Sequence, residues 1–420
     1  MENKELINVI TNEYELNIDH IEKSSESTAQ NVYIIYTKDN KYVLKIYDNL
    51  NHANSMCILH NSLSSKLNIP KIIKTKNNSD YVDNNSKYLV LYSFLEGTQI
   101  YKLDNLSNDI IKEIALNLRK LHSEVDNSCN LEEVEFCKNY NIERKSLLHF
   151  DLTKGNIFYN DGSIGFIDFD DAKYGPSVCD VAIFLLHNFI RKKTGINNEG
   201  INIFLNSYYG NDLDLRNNEI KHIKEIAINW INLVLKENEF NSSTKESFEI
   251  KIKLIKEQLC IPYLKLIPIN ECISKDLYEM YQDIPIKEIG STNKYKDISY
   301  EVFLENIKEE NDTKRYILFN NNIPIGEVGI RTTINDFWVN KGSQIYYKIR
   351  YSERGKGYGS IILYLALKEA KKIGFKKIRI NCDNNNIPSK KIILKNEGKR
   401  DIIDYKTEDG YSTSYLINIK

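Results

Sequence analysis

Residues 149–171 read HFDLTKGNIFYNDGSIGFIDFDD. Asp151 is followed five residues later by Asn156, and a second acid, Asp168, closes the short apolar run Gly165-Phe166-Ile167. Asp and Asn by themselves favour turns and would mean little. The spacing H-x-D-L-x-x-x-N with a strand-end Asp is more specific, because phosphoryl transfer needs these groups in this order. Asp151 is expected to take the proton of an attacking hydroxyl. The amide oxygen of Asn156 and the carboxylate of Asp168 are expected to hold the Mg²⁺ that neutralises a triphosphate.

The motif resembles that of the aminoglycoside phosphotransferase and choline kinase superfamily, over about the first 260 residues. Phe150 stands where eukaryotic protein kinases usually carry Arg. Asp168 to Asp180, DFDDAKYGPSVCD, runs straight into the apolar segment VAIFLLHNFI. That leaves no long activation segment ending in APE to dock a peptide, which favours a small-molecule hydroxyl as acceptor. Asp180 resembles the helix-start Asp that braces the catalytic loop in this family, a role compatible with a plain helix cap.

Upstream, NVYIIYTK and KYVLKIY alternate in hydrophobicity and predict a hairpin turning at Asp39-Asn40. Lys45 shares a strand face with Val43 and Tyr47, opposite Leu44 and Ile46. A lysine on an apolar strand needs an anion or must leave the core. The resemblance implies the α/β-phosphates of ATP or GTP, and a solvent-facing lysine is the plain alternative. Ser27-Thr28-Ala29 lies before that strand and, by resemblance, offers amides and a hydroxyl from Ser27 and Thr28 to the phosphates. KYLVLYSFLEG reads as a buried strand running into a hinge that ends at Gly97, where backbone groups of Ser93 and Leu95 would meet the adenine by resemblance. One departure stands out. Kinases normally pair the strand lysine with a helix Glu, yet residues 49–70 contain no acid, only His52, Asn54, Ser55 and His60 as hydrogen-bonding groups. NDIIKEIALNLRKLHSEV predicts a helix beneath the catalytic loop, with His122 structural. Residues 201–258 predict further helices, whose acids Asp212, Asp214, Glu219, Glu225, Glu237 and Glu239 could receive a cationic substrate or simply face solvent.

The reading changes near Ile261. IPYLKLIPIN predicts a strand between two helices. Further on, IYYKIRYSERGKGYGSIILYLALKEAKKIGFKKIRINC reads as strand, Gly-rich turn, long amphipathic helix, strand. Arg354-Gly355-Lys356-Gly357-Tyr358-Gly359 fits R-x-x-G-x-G. At a helix N-terminus such a turn points backbone N–H groups at an anion. Gly357 and Gly359 allow close approach, and Arg354 and Lys356 add charge. The segment is neither a Walker A loop nor GxGxxG.

This pattern resembles the GNAT acetyltransferases over roughly residues 261–420, in which the turn holds the pyrophosphate of acetyl-CoA. Asn386, with Ser389 after it, opens a short helix KIILKN that Gly398 ends. A backbone amide near Ile349 would polarise the thioester carbonyl. Two departures appear: Ile393 occupies the position where many members have a thiolate-protonating Tyr, and no acid lies at Ser343-Gln344. Glu327, in IPIGEVGIR, is the substitute base.

The chain has 420 residues, a formal net charge of −1 and seven Cys with no CxxC pair. Two or three domains are expected, with no nucleic-acid partner and reduced thiols of a cytoplasmic protein. MENKELINVI lacks a basic, long-apolar leader pattern, and no apolar run is long enough to span a bilayer, so no membrane partner is expected. The expectation is an α+β chain of two domains: a bilobal protein-kinase-like fold over 1–260, with lobes at about 1–93 and 97–260, then a GNAT α/β fold with a mixed, mostly antiparallel sheet over 261–420. The function expected is a bifunctional transferase that uses Mg²⁺-ATP and acetyl-CoA on a small molecule bearing a hydroxyl or amine, with an aminoglycoside or other antibiotic as the leading substrate class. The alternatives are a metabolic pair acting on an amino alcohol or amino sugar, or an acetyltransferase with a regulatory nucleotide-binding module.

Overall fold

The structure is a computed structural model. It describes residues 3–419 except 25–30, 104, 125–126, 139, 141, 143, 284–294, 308–311, 334–342 and 408–409. The chain forms two compact units: residues 1–204 with 221–259, and residues 205–220 with 260–420. Residues 205–220, placed by sequence reading in the first half, therefore fall in the second unit.

The first unit begins with helix α1 (Asn3–Tyr14), then strands β1 (Ile18–Lys23), β2 (Val32–Thr37) and β3 (Lys41–Tyr47). Helix α2 (Leu50–Leu63) and strands β4 (Val82–Asn84) and β5 (Lys87–Ser93) complete an antiparallel sheet ordered β1-β2-β3-β5-β4. The period-2 pattern sorts its two faces. Leu44, Leu89 and Leu91 pack on Leu6, Ile10 and Tyr14 of α1. Lys45 and Tyr47 face the other way, and Lys45 lies between Val32 and Val90 in the register. The predicted hairpin forms, with the Thr37 amide bonded to the Asn40 carbonyl at 2.9 Å.

Beyond the hinge come β6 (Thr98–Gln99) and α3 (Asn108–Leu121), the latter capped by Ser107, whose hydroxyl accepts from the Ile110 amide. Strand β7 (Lys145–Leu148) leads into the motif. Strands β8 (Ile157–Asn160) and β9 (Ser163–Phe166) make a hairpin inside it, and β10 (Lys173–Pro176) pairs back with β7. Helix α4 (Val178–Phe189) is buried on nearly every side, as its unbroken apolar sequence requires. The short strands β11 (Ile190–Arg191) and β12 (Gly195–Ile196) pair next. Four helices follow: α5 (Asn198–Tyr209), α6 (Leu213–Ile220), α7 (Ile223–Glu237) and α8 (Ser242–Glu257).

The second unit has β13 (Leu264–Pro268), helices α9 (Lys275–Gln282) and α10 (Tyr300–Asn306), and strands β14 (Thr313–Asn320), β15 (Ile323–Arg331) and β16 (Ile345–Ile349). These strands form one antiparallel sheet in the order β13-β14-β15-β16. Helix α11 (Tyr358–Ile373), β17 (Lys377–Asp383), α12 (Ile387–Lys395), β18 (Lys399–Thr407) and β19 (Gly410–Asn418) follow, with a second sheet ordered β17-β19-β18. The core joins Leu318, Val328 and Ile330 to Ile361, Ile362 and Ala366 of α11, and it includes Leu213 of α6. Among the described residues, no helix is long and apolar enough to cross a membrane.

Candidate functional site: a catalytic loop and a glycine turn

His149 and Phe150 link β7 to the catalytic loop, and Asp180 on α4 anchors that link. Its carboxylate accepts from the His149 amide at 2.7 Å, the Phe150 amide at 2.8 Å and His122 Nε2 at 3.0 Å. Both His122 and Asp180 are fully buried. Burial lowers the His122 pKa despite the carboxylate beside it, so His122 is neutral and Nε2 is its donor. The predicted bracing role of Asp180 thus has a geometry. Phe150 takes a left-handed φ of 65°, as does Asp168, a conformation unusual for a side-chain-bearing residue and frequent at functional turns.

The anchored loop brings Asp151, Asn156 and Asp168 together. Asn156 Nδ2 donates to the Asp151 carbonyl at 2.9 Å and to its carboxylate at 2.8 Å. The Ile167 amide donates to the Asn156 carbonyl at 3.0 Å, holding the strand end against the loop. With its nitrogen committed to Asp151, the Asn156 amide keeps an oxygen for a cation. Burial first, then the Asp171 and Asp168 charges, raises the Asp151 pKa above the usual carboxylate range. The same causes raise Asp171: burial, then Asp168 and Asp170. A crowd of carboxylates repelling one another fits a divalent cation held by Asn156 and Asp168, with phosphate and water completing the shell. Among the described residues, no group of three or more His, Cys, Asp or Glu forms a closed metal cage.

Lys45 reaches this cluster from β3. Its Nζ lies 2.7 Å from Asp168 Oδ1 and 2.9 Å from Asp170 Oδ2. Burial opposes its charge, but Asp170 and Asp168 outweigh burial and raise its pKa. The Asp170 contact is one that sequence reading missed; the run Asp168-Phe169-Asp170-Asp171 was its available signal. Ser93, at the end of β5, donates its amide to the Lys71 carbonyl at 2.7 Å, and its hydroxyl accepts from the Lys71 amide at 2.9 Å. The Cβ that Gly165 lacks would lie 2.7 Å from Leu95 Cδ2, which places Leu95 over the β8–β9 hairpin. Ser27 and Thr28 lie outside the described residues.

Of the acids named on the later helices, Asp212, Asp214, Glu225, Glu237 and Glu239 are exposed and Glu219 is not. Glu219 is fully buried and accepts from the Tyr209 hydroxyl at 2.9 Å, and Asp214 pairs with Lys368 at 2.9 Å. A cation, Lys154, follows Asp151 by three residues in the loop. The Lys154 pKa is lowered to about 8 by burial, then by the cations Arg191 and Lys251.

In the second unit, β16 ends at Ile349 and the predicted turn opens α11, with Gly357 as N-cap at a φ of 88°. The Arg331 amide bonds the Gln344 carbonyl and the Arg350 amide bonds the Ile325 carbonyl. By antiparallel alternation, Ile349 N–H then points away from β15, the direction a polarising amide needs. β16 and β17 belong to different sheets and meet through the Gln344 amide and the Arg379 carbonyl at 2.8 Å. The loop charges are partly engaged: Lys356 pairs with Glu353 at 3.1 Å, and Arg354 Nε bonds the Ile349 carbonyl at 3.3 Å. Tyr358 is buried, and its hydroxyl accepts from Asn320 at 3.1 Å, so only its backbone faces the turn. Asn386 caps α12 by accepting from the Ser389 amide at 3.1 Å.

The glycines also admit close packing by protein: the missing Cβ of Gly357 would lie 3.2 Å from Asn206 Cβ, and that of Gly359 2.5 Å from Ile392 Cδ1. Asn206 also donates to the Lys356 carbonyl and accepts from Arg216. Glu327 is fully buried among Arg315 at 2.8 Å, Lys348 at 3.0 Å and the Tyr281 hydroxyl at 2.9 Å. Burial disfavours its charge, but Lys348 and Arg315 prevail and lower its pKa to about 2, which makes it a weak base. Sequence reading sought a phenol after Asn386. The structure brings one from β16: Tyr347 Oη lies 2.9 Å from Ser389 Oγ, and burial raises its pKa to about 12.

Comparison with known proteins agrees with both halves of this description. The family model described as a phosphotransferase enzyme family (APH) matches residues 138–202, and that of the acetyltransferase (GNAT) domain matches residues 264–399. A protein of Acanthamoeba polyphaga mimivirus named "Putative serine/threonine-protein kinase R436" is 33% identical over 130 residues, 31% of this chain. The chain spans 44% of the length of that relative. Among solved structures, a spectinomycin phosphotransferase, APH(9)-Ia, is similar at 16% identity, with 61% of this chain and 98% of that one covered at a TM-score of 0.44. A microcompartment-associated aminopropanol kinase is similar at 12% identity, with 60% and 95% covered at the same TM-score of 0.44. The chain is a transferase in which a bilobal, kinase-like half resembling the aminoglycoside phosphotransferases is followed by a half resembling the GNAT acetyltransferases.

Proposed function

We propose that the chain carries two activities on small molecules: ATP-dependent phosphorylation of a hydroxyl and acetyl-CoA-dependent acetylation of an amine. The convergence of Lys45, Asp151, Asn156 and Asp168 carries the first. Asp151 takes the hydroxyl proton as the oxygen accepts the γ-phosphoryl group and ADP departs, and its raised pKa strengthens it as a base. Asn156 and Asp168 would hold Mg²⁺, which would supply charge neutralisation to the phosphates. Lys45 meets the α/β-phosphates. In the second unit, the amides of residues 355–359 receive the pyrophosphate at the dipole of α11. The neutral amine attacks the thioester carbon as the C–S bond breaks, Ile349 N–H polarises the carbonyl, Tyr347 protonates the leaving thiolate, and the proton released by the nitrogen passes through water to restore the Tyr347 phenol.

One observation separates the candidate acceptors of the phosphotransferase. Lys154, three residues after Asp151, shares its surroundings with Arg191 and Lys251. That field opposes a polycationic antibiotic and favours a neutral or anionic hydroxyl compound, such as a metabolic intermediate. The test is a mass-shift screen of aminoglycosides, amino alcohols, amino sugars and anionic sugars with ATP and acetyl-CoA. Gains of a phosphoryl group lost in Asp151→Asn, and gains of an acetyl group lost in Gly357→Val, would support the reading. No gain on any acceptor counts against it, and best turnover on aminoglycosides overturns the preference for neutral or anionic acceptors. Tyr347→Phe should slow acetyl transfer without weakening acetyl-CoA binding; unchanged turnover removes Tyr347 from the chemistry.

A further inference from the structure

In the kinase arrangement, a carboxylate on the helix after the lysine strand holds that lysine against the phosphates. Helix α2 has none to give. Its buried face presents Ala53, Met56, Cys57, Leu59, His60 and Leu63. His60, the polar member of that set, donates from Nδ1 to the Pro70 carbonyl at 2.7 Å and packs its ring on Tyr92 and Phe169. Burial lowers its pKa to about 4, so it is neutral and cannot serve as a counter-anion.

The carboxylate comes from elsewhere. Asp170 Oδ2 lies 2.9 Å from Lys45 Nζ, and Asp170 Oδ1 accepts from the Tyr47 hydroxyl at 3.1 Å. Tyr47 in turn lies 3.1 Å from the Tyr92 hydroxyl. Lys45 and Tyr47 share one face of β3, so Asp170 grips that face at two points. Asp170 is more enclosed than Asp168: its side chain is 31% exposed, against 42% for Asp168. Two acids therefore divide two tasks. The more open Asp168, on its left-handed turn, is free to turn to a metal, while the enclosed Asp170 stays with the lysine.

We propose that Asp170 is the positioning residue for Lys45, taking over from the strand-end turn the task that a helix Glu performs in other kinases. The inference rests on the phosphotransferase reading of the first unit. Bound nucleotide would draw Lys45 partly away from Asp168, which turns to the metal, and Asp170 would keep the ammonium pointed at the phosphates.

The experiment is calorimetry of the full chain with Mg²⁺-AMP-PNP, across a range of Mg²⁺ concentrations, for the unchanged protein, Asp170→Asn, Asp170→Glu, Lys45→Met, Asp168→Asn and the Asp170→Asn/Lys45→Met pair. Circular dichroism on each confirms that it is folded. Asp170→Asn and Lys45→Met are each expected to weaken affinity on the order of tenfold, the scale of a charge-assisted contact. The pair should be no weaker than Lys45→Met alone, because both changes remove one coupled interaction. Asp170→Glu should recover part of the affinity. Half-saturation by Mg²⁺ should move in Asp168→Asn and stay in place in Asp170→Asn. Additive losses, or a raised Mg²⁺ requirement in Asp170→Asn, would overturn the proposal and make Asp170 a metal ligand. If the unchanged chain binds no nucleotide, the phosphotransferase reading falls, and this inference with it.

Discussion

Asp151 is held by Asn156, and burial with the neighbouring carboxylates raises its pKa. Asp151→Asn should lower phosphoryl transfer by about 10²–10⁴-fold, the usual contribution of a positioned base. Nucleotide affinity should stay nearly unchanged, since Asp151 is assigned to the acceptor; unaltered turnover would remove it from the mechanism. Glu327 shows the opposite electrostatics. Its folded pKa of about 2 lies below the ordinary value of 4.5, so its ion pairs stabilise the second unit above that ordinary value and are lost as pH falls through about 2. Glu327→Gln should cost about 3–5 kcal/mol at neutral pH by leaving Arg315 and Lys348 without their carboxylate. The cost should shrink towards pH 2; a denaturant midpoint that shifts equally at pH 7 and pH 2 would contradict this account.

At the level of elements, the catalytic loop depends on α4. Asp180→Ala would strand the His149 and Phe150 amides and His122 in a dry interior. Each buried group left unsatisfied costs about 1–3 kcal/mol, so a fall in thermal midpoint should accompany loss of phosphoryl transfer. A variant with an unchanged midpoint would show that the brace is dispensable. The loop motif, the β2–β3 hairpin, α3, α4 and the strand–turn–helix of β16 and α11 were all legible in the sequence. Their signals are local: period-2 or period-3.6 apolar spacing and short runs of chemically demanding residues. What stayed hidden was tertiary. Nothing in the spacing said that Asp170 would meet Lys45 across 125 residues, that Glu327 would be caged by Arg315 and Lys348, or that Tyr347 would reach Ser389. Such meetings are set by which faces pack together. The packing of Asn206 and Ile392 against the glycine turn was equally hidden, because both come from elsewhere in the chain.

For the molecule as a whole, two units with separate cores should allow the activities to be disabled one at a time. Gly357→Val places a β-branched residue at a φ of 88° and presses it on Asn206, so the turn should deform and acetyl-CoA binding should be lost. Nucleotide affinity, measured on the same preparation, should be retained. A matched loss of both in a folded protein would mean that the units are coupled.

Residues 205–220 give this chain an unusual genetic grammar. The acetyltransferase unit draws Leu213 into its core and fixes its glycine turn through Asn206, which Arg216 holds in turn. Both lie upstream of the helices α7 and α8 that belong to the other unit. A gene cut at codon 260 would not release two exchangeable cassettes. The downstream piece would encode a unit missing a core leucine and the side chain that holds its glycine turn. Recombination that shuffles domains by single crossovers would therefore be penalised here. The two halves are bound to be inherited, lost and improved together.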